Sequence, residues 1–470
     1  MVSSDTHPLL DRAARNDRAW RDLPVRASAP NQRCWPAMDQ QRWFPSAFQA
    51  PKHPYYGGTM KLRSVALTLV AAGALVPIGQ APAQAAGGVV DFTLDAKTID
   101  GGQQVVSVTL DTDRYKINPK SLDVNTFQVH ATGANPYPST TVMGAYDRDR
   151  TITSVKLDKT GDIVISMVSG EDAPAAFTFA YSPSVGRNVM LDLKYSINQR
   201  EALSLRGGRQ LMLKTFRQGD LVDPEVDRFS DGMSADGMSY RLFTPEKVRK
   251  SNPRPLVVWL HGGGEGGWSE SYDNDLPLIA NRGALGFATP DAQKIFKGAY
   301  VVAPQASTRW MDNATKNYAP QIKALIDELA DEYTIDTTRI YVVGASNGGY
   351  MTMQMVADYP DFFAGNITIC PAVTYNKAPM ITDDEIIKMR ETPTWIVQAK
   401  NDNVLPYETN GLYAHQLIGN STLSAYPDVV WNGHTYQGHW SWIYVAQNDP
   451  TNAKGQHIWQ WLAKQDTDKR

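Results

Sequence analysis

Ser346 stands in Gly344-Ala345-Ser346-Asn347-Gly348-Gly349, directly after the apolar run Ile340-Tyr341-Val342-Val343 and directly before a helical pattern. A turn this tight between a strand and a helix forces the serine into a strained backbone conformation, and glycines two residues to either side remove side chains that would collide. The hydroxyl is then presented as a nucleophile. The amide of Asn347 and the positive end of the following helix face any oxyanion formed beside it. A bare Gly-x-Ser-x-Gly string is common and its ordinary alternative is a structural turn; the strand before and the helix after favour the chemical reading.

A serine hydroxyl is a poor nucleophile until a base takes its proton, and the base needs an acid to fix its tautomer. After an elbow of this kind the chain order is serine, acid, histidine. Asp402 lies in Lys400-Asn401-Asp402-Asn403-Val404-Leu405-Pro406, just past the strand candidate Trp395-Ile396-Val397-Gln398-Ala399. Asp428 and Asp383 compete, but neither follows a strand so directly. His415, His434, His439 and His457 come later in the chain. Helical settings disfavour His415 and His457. His439, in Gln437-Gly438-His439-Trp440-Ser441-Trp442, sits in a glycine-flanked loop that can carry an imidazole to the serine. His434, in Asn432-Gly433-His434, is the second candidate.

An oxyanion also needs a second amide donor, and Leu260-His261-Gly262-Gly263-Gly264-Glu265 ends an earlier strand with a run of glycines that frees such amides. Gly263 is the first choice and Gly264 the next, while His261 orders the loop. Gly262 to Gly267 also fits the glycine spacing of a dinucleotide fingerprint. It leads, however, into Trp268-Ser269-Glu270-Ser271 and Pro277, so the helix N-terminus that gives that motif its mechanism is missing. Trp268, Trp310, Trp440 and Trp442 could line an acyl or aromatic pocket, although aromatic residues at such spacing are more often core.

Two kinds of element must position these groups. Over 86–206 apolar residues alternate, as in Val90, Phe92, Leu94 and Val106, Val108, Leu110. Lys159-Thr160-Gly161-Asp162 separates two such runs, which predicts a small antiparallel sandwich of immunoglobulin type. The polar stretch 207–227 reads as a connection. Over 228–470 short apolar strands alternate with helices, the pattern of a mostly parallel sheet covered on both faces. Strands are expected near 256–260, 300–303, 340–343, 366–369 and 395–399. Helices are expected over 319–333, with Ile322, Leu325, Ile326 and Leu329 on one stripe, over 347–359, and around Ile458, Trp459 and Leu462.

The chain has 470 residues, 42% hydrophobic and 20% charged, with a formal net charge of −3. That is enough for two cores, and without a Lys/Arg block it argues against a nucleic-acid partner. Met60-Lys61-Leu62-Arg63 followed by the apolar run Val65 to Ile78 and by Ala83-Gln84-Ala85 has the layout of a signal peptide over 60–85. Export is expected, with Ala86 as the first mature residue and no membrane anchor after cleavage. Residues 1–59 read as a mis-assigned upstream segment or as a disordered or cytoplasmic extension. Cys34 and Cys370 are the two cysteines, so the mature chain would carry one thiol, read as buried and inert. No His/Cys/Asp cluster has zinc or EF-hand spacing, and neither a metal nor another cofactor is expected.

Together, the His-Gly-Gly-Gly-Glu loop, the Gly-x-Ser-x-Gly-Gly elbow, the Asp-x-x-x-Pro loop and Gly-His-x-x-Trp resemble one group. They are similar to secreted carboxylesterases related to polyhydroxyalkanoate depolymerases and feruloyl esterases, including those with an immunoglobulin-like N-terminal domain. The resemblance covers about Phe229 to Leu462 and is supported by Tyr240-Arg241-Leu242-Phe243-Thr244-Pro245, similar to the family's opening strand. It implies an α/β-hydrolase fold behind the sandwich, with Ser346, Asp402 and His439 as catalytic residues and Asn347 and Gly263 holding the oxyanion. A small or polymeric ester would be the substrate. In one respect the chain departs from the group: Ala399-Lys400-Asn401 precede the acid where relatives often have His-Gly. A peptidase of the prolyl oligopeptidase kind shares the elbow and chain order, and a polymer-binding protein with a supporting hydrolase domain is the alternative from another class.

Overall fold

The computed structural model describes residues 84–86 and 88–470. The expected upstream segment and signal peptide lie outside the described residues, apart from Gln84 and Ala85, whose strand pairs with Gln210 and Leu211.

Among the described residues the N-terminal region is built of β-strands, with short 3-10 turns at Asp113–Tyr115, Pro119–Ser121 and Pro174–Ala176. Val89–Ile99 and Gly102–Leu110 pair antiparallel, and Ile163–Met167 and Ile152–Leu157 continue the same sheet. Asp192–Gln199, Phe127–Ala134 and Tyr146–Arg150 form a second sheet. The alternation read from the sequence is the packing at Val90, Phe92, Leu94, Val108 and Leu110, which turn into one apolar core with Val129, Ala131, Ile163 and Ile165; Val106 does not, because a register shift between Asp95 and Ala96 turns Val105 inward in its place. At the predicted hairpin, Asp158 Oδ1 accepts the amides of Thr160, Gly161 and Asp162, which closes the turn.

The stretch 207–227, expected as a connection, is instead largely part of this β region. Gln210–Met212 pairs with Leu203–Ser204, and Thr215–Val222 runs parallel to Val89–Ile99 along the edge of the first sheet. A register shift between Gln218 and Leu221 breaks the period of two, and only Phe216 and Leu221 of this strand pack against the core, partly buried. The turn that follows is tied back by Asp223, whose carboxylate accepts from Thr98 Oγ1 and Gln103 Nε2, both at 2.9 Å.

The C-terminal half is built on an eight-stranded sheet. Its order across the sheet is Phe229–Met233, Ser239–Phe243, Tyr300–Pro304, Arg254–Leu260, Ile335–Ala345, Gly365–Ile369, Thr394–Ala399 and Thr422–Tyr426. The first three pair antiparallel and the rest run parallel. Successive strand residues belong to different cores. Leu256, Val258 and Leu260 join Ile322, Leu325, Ile326 and Leu329 of helix Tyr318–Glu332 on one face. Val257 and Trp259 join Phe287, Phe296, Ile458, Trp459 and Leu462 on the other. Burial on both faces explains why these strands read as continuous apolar runs. The parallel strands therefore share one carboxyl-end edge, and loops leaving it are where such a sheet places its chemistry.

Candidate active site

The strand Ile335–Ala345 runs straight into helix Asn347–Asp358, with Ser346 as the single residue between them at φ 58°, ψ −114°. Two glycines make this possible. A methyl carbon on Gly344 would strike the Gly348 carbonyl, and one on Gly348 would strike the carbonyls of Leu260 and His261. Three main-chain bonds hold the strained residue: Ser346 N donates to Ile369 O at 2.9 Å, and its own carbonyl accepts from Tyr350 N at 3.0 Å and Ala372 N at 3.2 Å.

The other two candidates converge on it. His439 Nε2 is 2.9 Å from Ser346 Oγ, and His439 Nδ1 is 2.8 Å from Asp402 Oδ2. Both loops are braced. Asp402 Oδ1 accepts the amides of Val404 and Leu405, each at 2.9 Å, and Oδ2 also accepts from Gln398 Nε2 at 3.0 Å. Gln437 accepts the His439 amide through Oε1 and donates through Nε2 to Asn403, joining the histidine loop to the acid loop. All three side chains belong to buried residues. Burial alone would raise the Asp402 carboxyl, but His439 and the two amides outweigh it and hold the acid below its ordinary value. Burial alone would lower His439; the Asp402 carboxylate, with a further contribution from Cys370, overrides it and holds the imidazole well above 6.5.

The glycine loop lies across the elbow. A methyl on Gly263 would be 3.8 Å from Asn347 Cβ, so the two expected donors are neighbours. Among the described residues the amides of Gly263 and Gly264 donate to no protein acceptor, and Asn347, as first residue of its helix, has no intrahelical acceptor. His261 is fully buried and burial pushes its pKa down to about 3, so it is neutral. It accepts from Ala306 N at Nε2, 3.0 Å, which leaves the Nδ1 proton for Gly262 O at 2.6 Å. Asn347 Oδ1 accepts from Trp310 N at 2.7 Å, tying the elbow to the next loop.

The competing candidates sit elsewhere. His434 is in a hairpin and packs edge-on against Tyr436, His415 meets Ser421, and His457 meets Asn448 and Thr451. Asp383 opens a helix and accepts from Tyr413, while the Asp428 carbonyl accepts from Tyr444. Trp310 is core, donating to His261 O, whereas Trp442 stands edge-on to His439 with Trp440 stacked beside it.

Two residues at the site had been given no such place from sequence. Cys370 is buried, as expected of an inert thiol, yet its sulfur and ligand atoms of Asp402 and His439 all lie within 4.8 Å of one another. Glu265 is buried at the base of the glycine loop, where burial pushes its carboxyl up to about 7.

Residues 92–212 match the esterase Ig-like N-terminal domain family, and residues 303–410 match the prolyl oligopeptidase family. A solved thermostable esterase is 26% identical and aligns with a TM-score of 0.66 over 80% of this chain and 99% of its own. The chain has the α/β-hydrolase fold behind an immunoglobulin-like N-terminal domain. The chain is also 37% identical over 78 residues to poly(3-hydroxyalkanoate) depolymerase C of Paucimonas lemoignei, covering 14% of this chain and 19% of that protein. It is 26% identical over 141 residues to feruloyl esterase B of Thermothelomyces thermophilus, covering 30% and 45%. The chain thus spans less than half the length of either relative. Among its described residues no helix is long and apolar enough to cross a membrane.

Proposed function

We propose that the protein is an exported carboxylesterase in which Ser346 is the nucleophile, His439 the general base and Asp402 its orienting acid. The observation that carries this reading is the unbroken chain from Ser346 Oγ to His439 Nε2 and from Nδ1 to Asp402, set beside the unpaired amides of Gly263 and Asn347. His439 takes the Ser346 proton as Oγ attacks the ester carbonyl carbon. The carbonyl π electrons move to oxygen, and the oxyanion is held by the amides of Asn347 and Gly263, with Gly264 the alternative donor. Collapse breaks the bond to the alkoxy group, which leaves as the alcohol with the proton from His439. Water, deprotonated by the same imidazole, then releases the acid from the acyl-serine. Asp402 remains ionised throughout, as its lowered pKa favours.

The match of residues 303–410 to the prolyl oligopeptidase family supports a second reading, a peptidase. One assay separates them: turnover of a short-chain nitrophenyl ester beside a peptide nitroanilide of matched size. We expect the ester to be favoured by several orders of magnitude in kcat/KM; faster amide cleavage would make the protein a peptidase. A panel across acyl lengths, with a feruloyl ester and an aliphatic polyester, then defines the acyl group accepted. Export rests on residues 60–85, and N-terminal sequencing of protein from the culture medium should begin near Ala86. An N-terminus at Met1 would overturn it.

A further inference from the structure

Three consecutive glycines give a loop little preference among peptide-plane orientations, so Gly262-Gly263-Gly264 needs outside contacts to keep its amides aimed at the elbow. Some come from the hydrolase half: Gln305 Nε2 donates to Glu265 O at 2.8 Å, and Gly267 N donates to Ala306 O at 2.7 Å. The rest come from the immunoglobulin-like half. The hairpin Phe179–Ser182 with Arg187–Met190 lies against the glycine loop. Asn188 N donates to Gly264 O at 2.8 Å, Asn188 Nδ2 donates to Glu265 Oε1 at 3.1 Å, and Arg187 Nε donates to Gly267 O at 3.3 Å. Arg187, Asn188 and Glu265 are all buried. Fixing the Gly264 carbonyl toward the hairpin turns the Glu265 amide the opposite way, and the amides of Glu265 and Gly262 face the Glu265 carboxyl. Gly263 and Gly264 are the loop amides left over for a substrate.

We propose that Asn188 is a positioning residue of the active site, through which the N-terminal β domain sets the geometry of the oxyanion loop by way of Gly264 and Glu265. This rests on the esterase reading above and deepens it. The N-terminal domain is then a working part of the catalytic centre. Asn188 touches no reacting atom; it acts by holding the donors where charge develops in the transition state, so its loss should appear in kcat and not in KM. Removing a single oxyanion donor in other serine hydrolases costs roughly 10²- to 10³-fold in kcat, which sets the ceiling for misplacing one.

The test uses the full chain, with kcat expressed per active site titrated by a nitrophenyl phosphonate. Asn188→Ala should lower kcat by about tenfold or more with KM within about threefold, while the melting temperature and the titratable fraction show that the protein remains folded. Asn188→Asp puts two carboxyl groups together, which tolerate each other only while they share a proton. The charged and titratable groups that act on Glu265 are Arg187, His439 and Tyr181, none of them altered by the substitution. Asn188→Asp should therefore lose kcat increasingly as pH rises above neutrality, relative to wild type. The double variant Asn188→Asp with Glu265→Gln restores a donor and an acceptor with the roles exchanged, and should recover to within about threefold of Glu265→Gln alone. That rescue is what a merely structural loss would not give. Wild-type kcat in Asn188→Ala, a change confined to KM, or no rescue in the double variant would overturn the proposal. If wild type itself neither turns over esters nor reacts with the phosphonate, it is the esterase reading that fails.

Discussion

Ser346→Ala should fold normally and lose ester turnover by on the order of 10⁴-fold or more, because no other group at the site supplies the covalent step. Folding is expected to survive because the elbow is held by main-chain bonds. The Ser346 amide to Ile369 O and the Ser346 carbonyl from Tyr350 and Ala372 do not involve the hydroxyl, whose partner is His439 Nε2. The collisions that demand glycine are at Gly344 and Gly348 and are unchanged. Circular dichroism and a melting curve check the fold, and initial rates on a nitrophenyl ester check the loss. A folded variant with near-normal turnover would remove Ser346 from the mechanism.

The second large effect is on Asp402 and its pH signature. The base works only as neutral imidazole, and Asp402 at 2.8 Å holds His439 well above 6.5 against the opposing effect of burial. The acid limb of kcat/KM should therefore have its midpoint above 6.5, with activity falling as pH drops through it and His439 takes a proton. Asp402→Asn removes the larger of the two neighbours that raise the imidazole, Asp402 and Cys370, and leaves the burial that lowers it, so the midpoint should move down. The rate should fall by roughly 10⁴-fold, as for the same change in the serine-protease triad, because the amide no longer selects the productive tautomer. His439→Ala should remove both the rate and the inflection. His434→Ala should leave both, since that side chain packs on Tyr436 in its own hairpin. A midpoint that rises in Asp402→Asn would contradict the electrostatic account.

What the sequence made legible was the part whose geometry is local. The elbow could be read because a one-residue strand-to-helix turn dictates glycine at positions fixed relative to Ser346. Asp402 could be read because a strand's carboxyl end precedes it directly, and His439 because glycine marks a loop rather than an element. The central sheet could be read because strands buried on both faces are continuous apolar runs of the right length. The strand Thr215–Val222 escaped because it lies at a sheet edge with a register shift in its middle, which erases the alternation that would mark it. The contact of Asn188 with Glu265 escaped for a different reason: the residues are 77 positions apart, and nothing local to either foretells it. Taken alone, Glu265 is one charged residue in a polar loop, and its burial exists only once the hairpin closes over it. The nearness of Cys370 to His439 is of the same kind, set by two separate loops leaving the same edge of the sheet.

The central claim is that the Ser346 hydroxyl is activated for covalent attack, and a nitrophenyl phosphonate ester tests it most directly. Attack by Oγ on phosphorus expels nitrophenolate and leaves a stable phosphonyl-serine. Intact mass of the treated protein should rise by one phosphonyl group with one equivalent of nitrophenolate released, and peptide mapping should place the adduct on Ser346. His439→Ala should label far more slowly under the same conditions. Failure of the wild-type protein to react, or an adduct mapped to any other residue, would contradict the account.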